Sequence, residues 1–333
     1  MVAGSVGGNE TWAEQVRSRA GMYVGSTRSP GLSHIVYELV NNSIDQFLID
    51  RATSVSVRFA GDMVEVLDDG PGLPFDQMSE SGGRNLVESF CTTLRDARSV
   101  DDHAPHIHLS SLGAGLAPVA ALAAELDIVS VRGSVCWQQM FNCGVPGPLT
   151  VLDPGPIEHG TRVRYTIDRE IFEPGVSFDR RTIRTRLFEA AHLFPGLRVG
   201  VDSEAFYSSS GLADLAPLLL PPRFAPATTS ANGRHEDVQL DFVAVDGPAS
   251  QRFVGEGTVL SWVNGSAMVE HGHHVSGIRD VLAEREWWPS LVLAHVVMHS
   301  PEFAGPTRGR LNAPHVREAV AQILRDHLPQ REQ

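Results

Sequence analysis

Lysine is absent from the 333 residues, so all 27 basic side chains are arginine. A P-loop needs a lysine on its phosphates and pyridoxal phosphate chemistry needs a Schiff-base lysine, so both are excluded. Cysteine is scarce: Cys91, Cys136 and Cys143 show no metal-ligand spacing, which suits a reducing cytoplasm. No apolar run reaches the roughly 18 residues of a membrane span. The opening MVAGSVGGNE lacks a basic start and an apolar core, so no signal peptide is expected. Positive charge is in deficit, 27 against 40 acidic residues for a net −13, which opposes a dedicated DNA or anionic-membrane surface but leaves room for a local basic patch. What the chain does have is a 42% hydrophobic content with 20% charged residues. That is enough for a large core. The length suits two domains of roughly 150 residues each.

Along the chain, a helix is expected over Trp12–Arg19, followed by a turn at Gly21 and Gly25. Helical apolar spacing runs over Ser33–Leu48 through Ile35, Val36, Leu39, Val40, Ile44, Phe47 and Leu48. Ser54–Phe59 and Met63–Leu67 read as strands joined by a turn at Ala60, Gly61 and Asp62. A short helix is expected over Leu86–Leu94 within a loop-rich stretch, and a buried helix over Gly115–Leu126. Strands follow near Asp127–Arg132, Val135–Phe141 and Thr161–Ile167, then a helix over Thr182–Leu193. The segment Leu218–Asp237, with Pro221, Pro222 and Pro226 and then a polar turn cluster, is a composition break. Beyond it, strands are expected over Val238–Val245, Thr258–Val263 and Ser290–Met298, and helices over Val275–Glu284 and Pro314–Leu328. The pattern is α+β and lacks alternating βαβ units.

Three patches carry chemistry. Glu38, Asn42 and Asp45 sit at i, i+4 and i+7 of the first long helix, with His34 four residues before Glu38, so they share one face. A carboxylate near a histidine can orient and deprotonate water, and an Asn oxygen is a good Mg²⁺ ligand beside phosphate. A solvated face with i, i+4 pairs is the plainer reading of this patch alone. Asp68, Asp69, Gly70, Pro71, Gly72, Leu73 and Pro74 follow a strand directly. The glycines admit close backbone approach, and the Asp can accept from an exocyclic amine such as adenine's. An ordinary DG turn has the same composition. Ser110, Ser111, Leu112, Gly113, Ala114 and Gly115 open a helix, where amide donors fit phosphate oxygens; packing glycines are the alternative.

The order and spacing of these patches resemble the GHKL ATPase superfamily, and within it the ATPase and transducer region of the gyrase B and topoisomerase IV B subunits. Further matching segments are Arg19–Gly25, Gly31–His34, Gly160–Arg164, Asn264–Arg279 and Phe303–Leu311, so the resemblance spans roughly residues 12 to 328. It implies an α+β chain: a GHKL (Bergerat) sandwich of mixed sheet and helices over 12–218, a linker over 219–231 and an S5-like transducer over 232–333, behind a flexible tail over 1–11. It also implies roles. Glu38 would be the general base, supported by His34. Asn42 would be the Mg²⁺ ligand. Asp68 would accept the adenine amine, with Gly70, Gly72, Leu73 and Thr161 completing the pocket and Leu39, Val66 and Val163 lining it. Ser110–Gly115 would form the phosphate end of the lid. The cofactors implied are ATP and Mg²⁺, and the partners a homodimer or a gyrase subunit. The chain ends at Gln333, so the DNA-cleaving module of type II topoisomerases is expected to be missing and DNA binding by the chain alone is not expected.

The chain departs from the pattern at several points. Pro306, Thr307 and Arg308 stand where the family has Gln-Thr-Lys, so the cation for the γ-phosphate would be Arg308, a planar fork in place of a compact ammonium. Gln46 and Pro71 replace a Glu and an Arg that form a salt bridge over adenine, so both charges are lost together. Ser110 replaces the first lid glycine, and only about ten residues precede Trp12. Two histidine groups, His103, His106 and His108 and then His271, His273 and His274, are assigned to the lid and a transducer loop in preference to a metal site. Arg308, Arg310, Arg317 and Arg325 form either a basic cavity or helix-surface charge. The leading expectation is a slow Mg-ATP-hydrolysing nucleotide switch. An ATP-dependent biosynthetic enzyme transferring phosphoryl or adenylyl to a small-molecule acceptor, and a non-catalytic gyrase partner or inhibitor decoy, are the alternatives.

Overall fold

The computed structural model describes residues 11–79, 83–94, 105–110, 113–220, 227–246, 258–305 and 307–329. These form two compact units. The first comprises Met1–Arg98 and Gly113–Ile183, the second Ser99–Leu112 and Arg184–Gln333.

The first unit opens with α1 (Trp12–Ser18), held by a capping box in which Thr11 accepts from the Glu14 amide and the Glu14 side chain returns the bond. Thr11 is thus part of a helix cap, while the rest of the expected tail lies outside the described residues. In place of a simple turn at Gly21, a second short helix α2 (Ala20–Val24) forms and stops at Gly25, whose φ of 75° is the left-handed stop. The long helix α3 (Ser29–Leu48) starts four residues earlier than its apolar spacing suggests, with Pro30 in its first turn. It packs on the hairpin β1 (Ser54–Ala60) and β2 (Met63–Asp68), closed by Gly61 and Asp62.

After α4 (Leu86–Thr92) comes α5 (Leu116–Ala121), and here the expected helix over 115–126 is cut short. Its last carbonyls are taken from outside: Arg17 Nη1 donates to Ala121 O at 2.9 Å and the buried Tyr165 hydroxyl to Leu122 O at 2.8 Å. The chain then enters β3 (Ala123–Arg132), where Leu126 pairs with both neighbouring strands. A run of small apolar residues fits a buried helix or a buried strand equally, and cross-strand pairing decided it. β4 (Val135–Asn142), β5 (Val145–Pro146), β6 (Thr150–Leu152) and β7 (Gly160–Ile167) complete an antiparallel sheet in the order β5-β4-β3-β7-β2-β1, with β6 also on β4. The helix α6 (Arg180–Leu193) contains the division between the units.

The second unit carries the hairpin β8 (Arg198–Val201) and β9 (Glu204–Phe206), the turn α7 (Leu212–Leu215), and a five-stranded sheet of β10 (Thr228–His235), β11 (Val238–Val245), β12 (Thr258–Val263), β13 (Ser266–Ala267) and β14 (Leu291–Val297). The order is β10-β11-β14-β12-β13, with β12 and β14 parallel. Helices α8 (His273–Glu284) and α9 (Pro314–His327) pack together, and α9 lies on β10 and β11. Residues 228–235, read from composition as part of a polar turn cluster, are a strand paired along its length with β11. It is an edge strand whose alternate residues face water, so polarity does not exclude it. Phe242, Leu293, Val320 and Leu324 are fully buried in this unit, each contributing about 1.5–3 kcal/mol. The segment 105–110 belongs here too: the Asn264 amide donates to His106 O at 3.0 Å, and Arg186 Nε to Leu109 O at 2.9 Å.

Candidate functional site

α3 brings His34, Glu38 and Asp45 into the interior, at 6%, 5% and 7% exposure, whereas Asn42 on the same face emerges to solvent. Glu38 Oε2 accepts from the Gly115 backbone amide at 2.8 Å, so the carboxylate sits at the start of α5. Gly115 has a φ of 72°, and a side chain there would meet nothing within 4 Å, so the backbone is bare on that side. The amide that a phosphate would seek is held by the acid that would serve as base.

The second cluster is built on three adjacent strands. Asp68 ends β2, and its cross-strand partner on β7 is Thr161, whose partner on β3 is Ser130. Directly opposed residues point to the same face, so the three side chains form a row. Asp68 Oδ1 accepts from Gly70 N at 2.9 Å and Thr161 N at 3.3 Å, and Oδ2 accepts from Ser43 Oγ at 2.9 Å. Burial pushes the Asp68 carboxyl above its usual range, and these bonds oppose that push without cancelling it. Oδ2 keeps an acceptor position for one more donor.

The turn after Asp68 is pressed against β3. A Cβ on Gly72, at φ 78°, would lie 2.1 Å from Val131 O, and one on Gly160, at φ 82°, 1.9 Å from Asp68 O. Leu73 N donates to Ser130 Oγ at 2.7 Å, and Arg132 holds Gly72 O at 3.3 Å and Asp76 at 3.1 Å. Leu39, Val66 and Val163 are buried, whereas Leu73 is partly exposed. Gln46 is partly buried and Pro71 exposed. Beside the row, Ser54, Ser56, Leu67, Asp69 and the Ile157–His159 stretch line a cleft of about 300 Å³.

The expected residues therefore fall into distinct groups. Glu38 meets Gly115; Asp68 meets Gly70 and Thr161. Gly113 is exposed and Ala114 partly so, while Ser111 and Leu112 lie outside the described residues. Ser110 and Arg308 belong to the second unit. Arg308 occupies a left-handed position at φ 50°, with its guanidinium 5.7 Å from the Phe303 ring centre. Ser43 and Ser130 carry no signal in the sequence: a lone serine announces nothing until the strand register is known.

Among the described residues no cluster of three or more His, Cys, Asp or Glu could hold a metal ion, and His103 lies outside them. His271 Nδ1 bonds Ser261 Oγ at 3.0 Å, and His274 is fully buried, its pKa pushed down to about 3 chiefly by burial. The arginines of α9 make surface pairs, Arg317 with Asp280 and Arg325 with Glu284 and Glu318. No helix of the described residues is long and apolar enough to cross a membrane.

No protein-family model matches the chain. Its sequence is 27% identical over 360 residues to the chloroplastic/mitochondrial DNA gyrase B protein of Oryza sativa subsp. japonica, across 94% of the chain and 48% of that protein. It is 30% identical over 279 residues to the DNA gyrase B protein of Streptococcus pyogenes serotype M18, across 81% of the chain and 42% of the relative. The chain thus spans less than half the length of these relatives. Among solved structures, the 43K ATPase domain of Thermus thermophilus gyrase B, in complex with an aminocoumarin, superposes with a TM-score of 0.78 at 24% identity, over 95% of this chain and 88% of that one. The B-subunit of the DNA gyrase from Myxococcus xanthus gives 0.76 at 22%, over 95% and 94%. At those identities the structural likeness speaks for the fold, and the sequence likeness supplies the kinship. The chain is a sequence homologue of the gyrase B proteins, built on the GHKL fold of their ATPase domain.

Proposed function

We propose that the chain binds Mg-ATP and hydrolyses it slowly, as a nucleotide switch. The observation that carries this is the Asp68 carboxylate, partly buried, fixed by two backbone amides and the Ser43 hydroxyl, with one acceptor position left over. Such a group takes one N–H donor in fixed orientation, and the adenine amine is that donor. The nucleotide-binding function is assigned to 12–218 and the transducer-like one to 232–333.

Glu38 is proposed as the general base. The Gly115 amide fixes its carboxylate by a charge-assisted bond, and His34 lies one turn earlier on α3. In the reaction, water oxygen bonds to the terminal phosphorus, the bond to the leaving diphosphate breaks, and the water proton goes to Glu38. Asn42 is the side chain that would hold Mg²⁺, and a bound Mg²⁺ neutralises charge on the phosphates. Asn42 is exposed and offers one neutral amide oxygen, so the remaining ligands would be phosphate and water, the usual mode for this ion. Assignment of Arg308 to the terminal phosphate rests on the sequence resemblance alone. The replacement of lysine there motivates slow turnover.

Kinship with the gyrase B proteins supports a homodimer or a gyrase subunit as partner. Calorimetric titration with Mg-ATP followed by product analysis tests the reading. Binding with release of ADP and phosphate supports it. Absence of binding refutes it, and transfer to an added metabolite replaces hydrolysis by group transfer. Light scattering with and without a non-hydrolysable analogue tests the dimer.

A further inference from the structure

Ser130 is completely buried, yet its hydroxyl stands at the centre of the Asp68 cluster. It accepts from Leu73 N at 2.7 Å, and that amide can only donate. Its own single proton then has two acceptors in reach, Thr161 Oγ1 at 3.0 Å and Gly160 O at 3.4 Å. Thr161 Oγ1 is the nearer of the two and either hydroxyl of that pair can donate; donation by Ser130 is the arrangement that leaves the Thr161 proton for a ligand. In that arrangement Thr161 Oγ1 accepts within the protein and its own proton is left to turn outward. No other partner for that hydroxyl is present among the described residues, and Thr161 keeps 7% of its surface exposed.

With Ser130 as donor, the row across β2, β7 and β3 presents two groups of fixed sense: an acceptor at Asp68 and, beside it, a donor at Thr161. An edge with an amine next to a bare ring nitrogen, as in adenine, matches that pair. An edge with a carbonyl next to a protonated ring nitrogen, as in guanine, opposes it at both points. With an apolar residue at 130, Thr161 would be free to turn and accept, and Leu73 N would lose its partner. We infer that Ser130 is a positioning residue that sets base selectivity by fixing the direction of the Thr161 hydroxyl, while its bond from Leu73 N seats the turn alike for either base. This inference rests on the nucleotide reading above and adds to it the group that decides which base is taken.

The test uses the full chain and compares ATP with GTP by calorimetry for the parent, S130A, S130T, T161V and S130A/T161V. Melting temperatures confirm that each variant is folded. For S130A, ATP affinity is expected to fall roughly tenfold, the scale of one hydrogen bond and its stranded partner, with GTP affinity falling less. The ATP-to-GTP preference narrows, and turnover at saturating ATP stays within about twofold, a KM effect with little kcat effect. S130T, which keeps the hydroxyl, restores the preference. In the T161V background, S130A should no longer change the preference, because the effect passes through Thr161. Equal losses for both nucleotides, an unchanged preference in S130A, or the same narrowing in the T161V background would each overturn the inference while leaving ATP binding intact. Failure of the parent to bind ATP would instead refute the nucleotide reading and this inference with it.

Discussion

Single side chains decide binding and chemistry separately here. Asp68 is an acceptor held by three donors, so Asp68→Asn swaps one carboxylate oxygen for an amide and turns a donor toward those donors. Mg-ATP affinity should fall at least tenfold, read by calorimetry. Because burial raises the Asp68 pKa, affinity should also weaken on acidification before an ordinary carboxylate would protonate. Glu38→Gln keeps the bulk and still accepts from Gly115, so binding should survive while turnover drops about 100-fold or more, the usual loss for a missing general base. A phosphate-release assay separates the two variants. Arg308→Lys restores a compact ammonium, and higher kcat at unchanged stability would support the loop assignment. Equal kcat in Arg308→Lys and Arg308→Ala would remove Arg308 from the reaction.

At the scale of elements, the glycines around Asp68 distinguish backbone conformation from crowding. Gly61 and Gly160 both have positive φ, but a Cβ meets nothing within 4 Å at Gly61 and the Asp68 carbonyl at 1.9 Å at Gly160. Gly61→Ala should cost about 1 kcal/mol for conformation alone. Gly160→Ala should cost about 2 kcal/mol or more and open the end of the β2–β7 ladder. Denaturant melts of the two variants check the difference. Local pattern alone makes some elements legible in the sequence and leaves others hidden. β11 and β12 match their expected bounds because alternation and flanking turns agree. α3 was legible from its spacing, as was the shared face of Glu38 and Asp45. The end of α5 was not, because Leu122–Leu126 is apolar enough for helix or strand and the outcome depends on distant Arg17 and Tyr165. β10 was hidden because an edge strand tolerates Thr, Ser, Asn and Arg on its wet face. Ser43 and Ser130 became visible only with the packing of α3 and the register of β3 on β7.

For the molecule as a whole, buried histidines make the second unit sensitive to acid. His274 and His295 have pKa values pushed down to about 3, chiefly by burial. His295 is committed to the neutral form: Nδ1 donates to Leu193 O at 3.1 Å and Nε2 accepts from Gly265 N at 3.1 Å. The folded values lie below the unfolded one, so the unfolded chain takes up more protons and stability falls as pH drops below about 6.5. At pH 5 each histidine removes roughly 2 kcal/mol. Asp241 works in the opposite sense, since its pKa of about 6 lies above the unfolded value, and it returns roughly 1 kcal/mol at that pH. The histidines win, and calorimetric melts at pH 7 and pH 5 should show a lower Tm in acid, with a smaller drop in His295→Gln. The division of the chain has a practical consequence of its own. The second unit takes in 99–112 as well as everything after Ile183, so no uninterrupted stretch of polypeptide encodes it. A gene fragment beginning at Arg184 would lack the His106 and Leu109 carbonyls that receive Asn264 and Arg186, and the truncated product should be insoluble or loosely packed at that corner even with its five-stranded sheet intact.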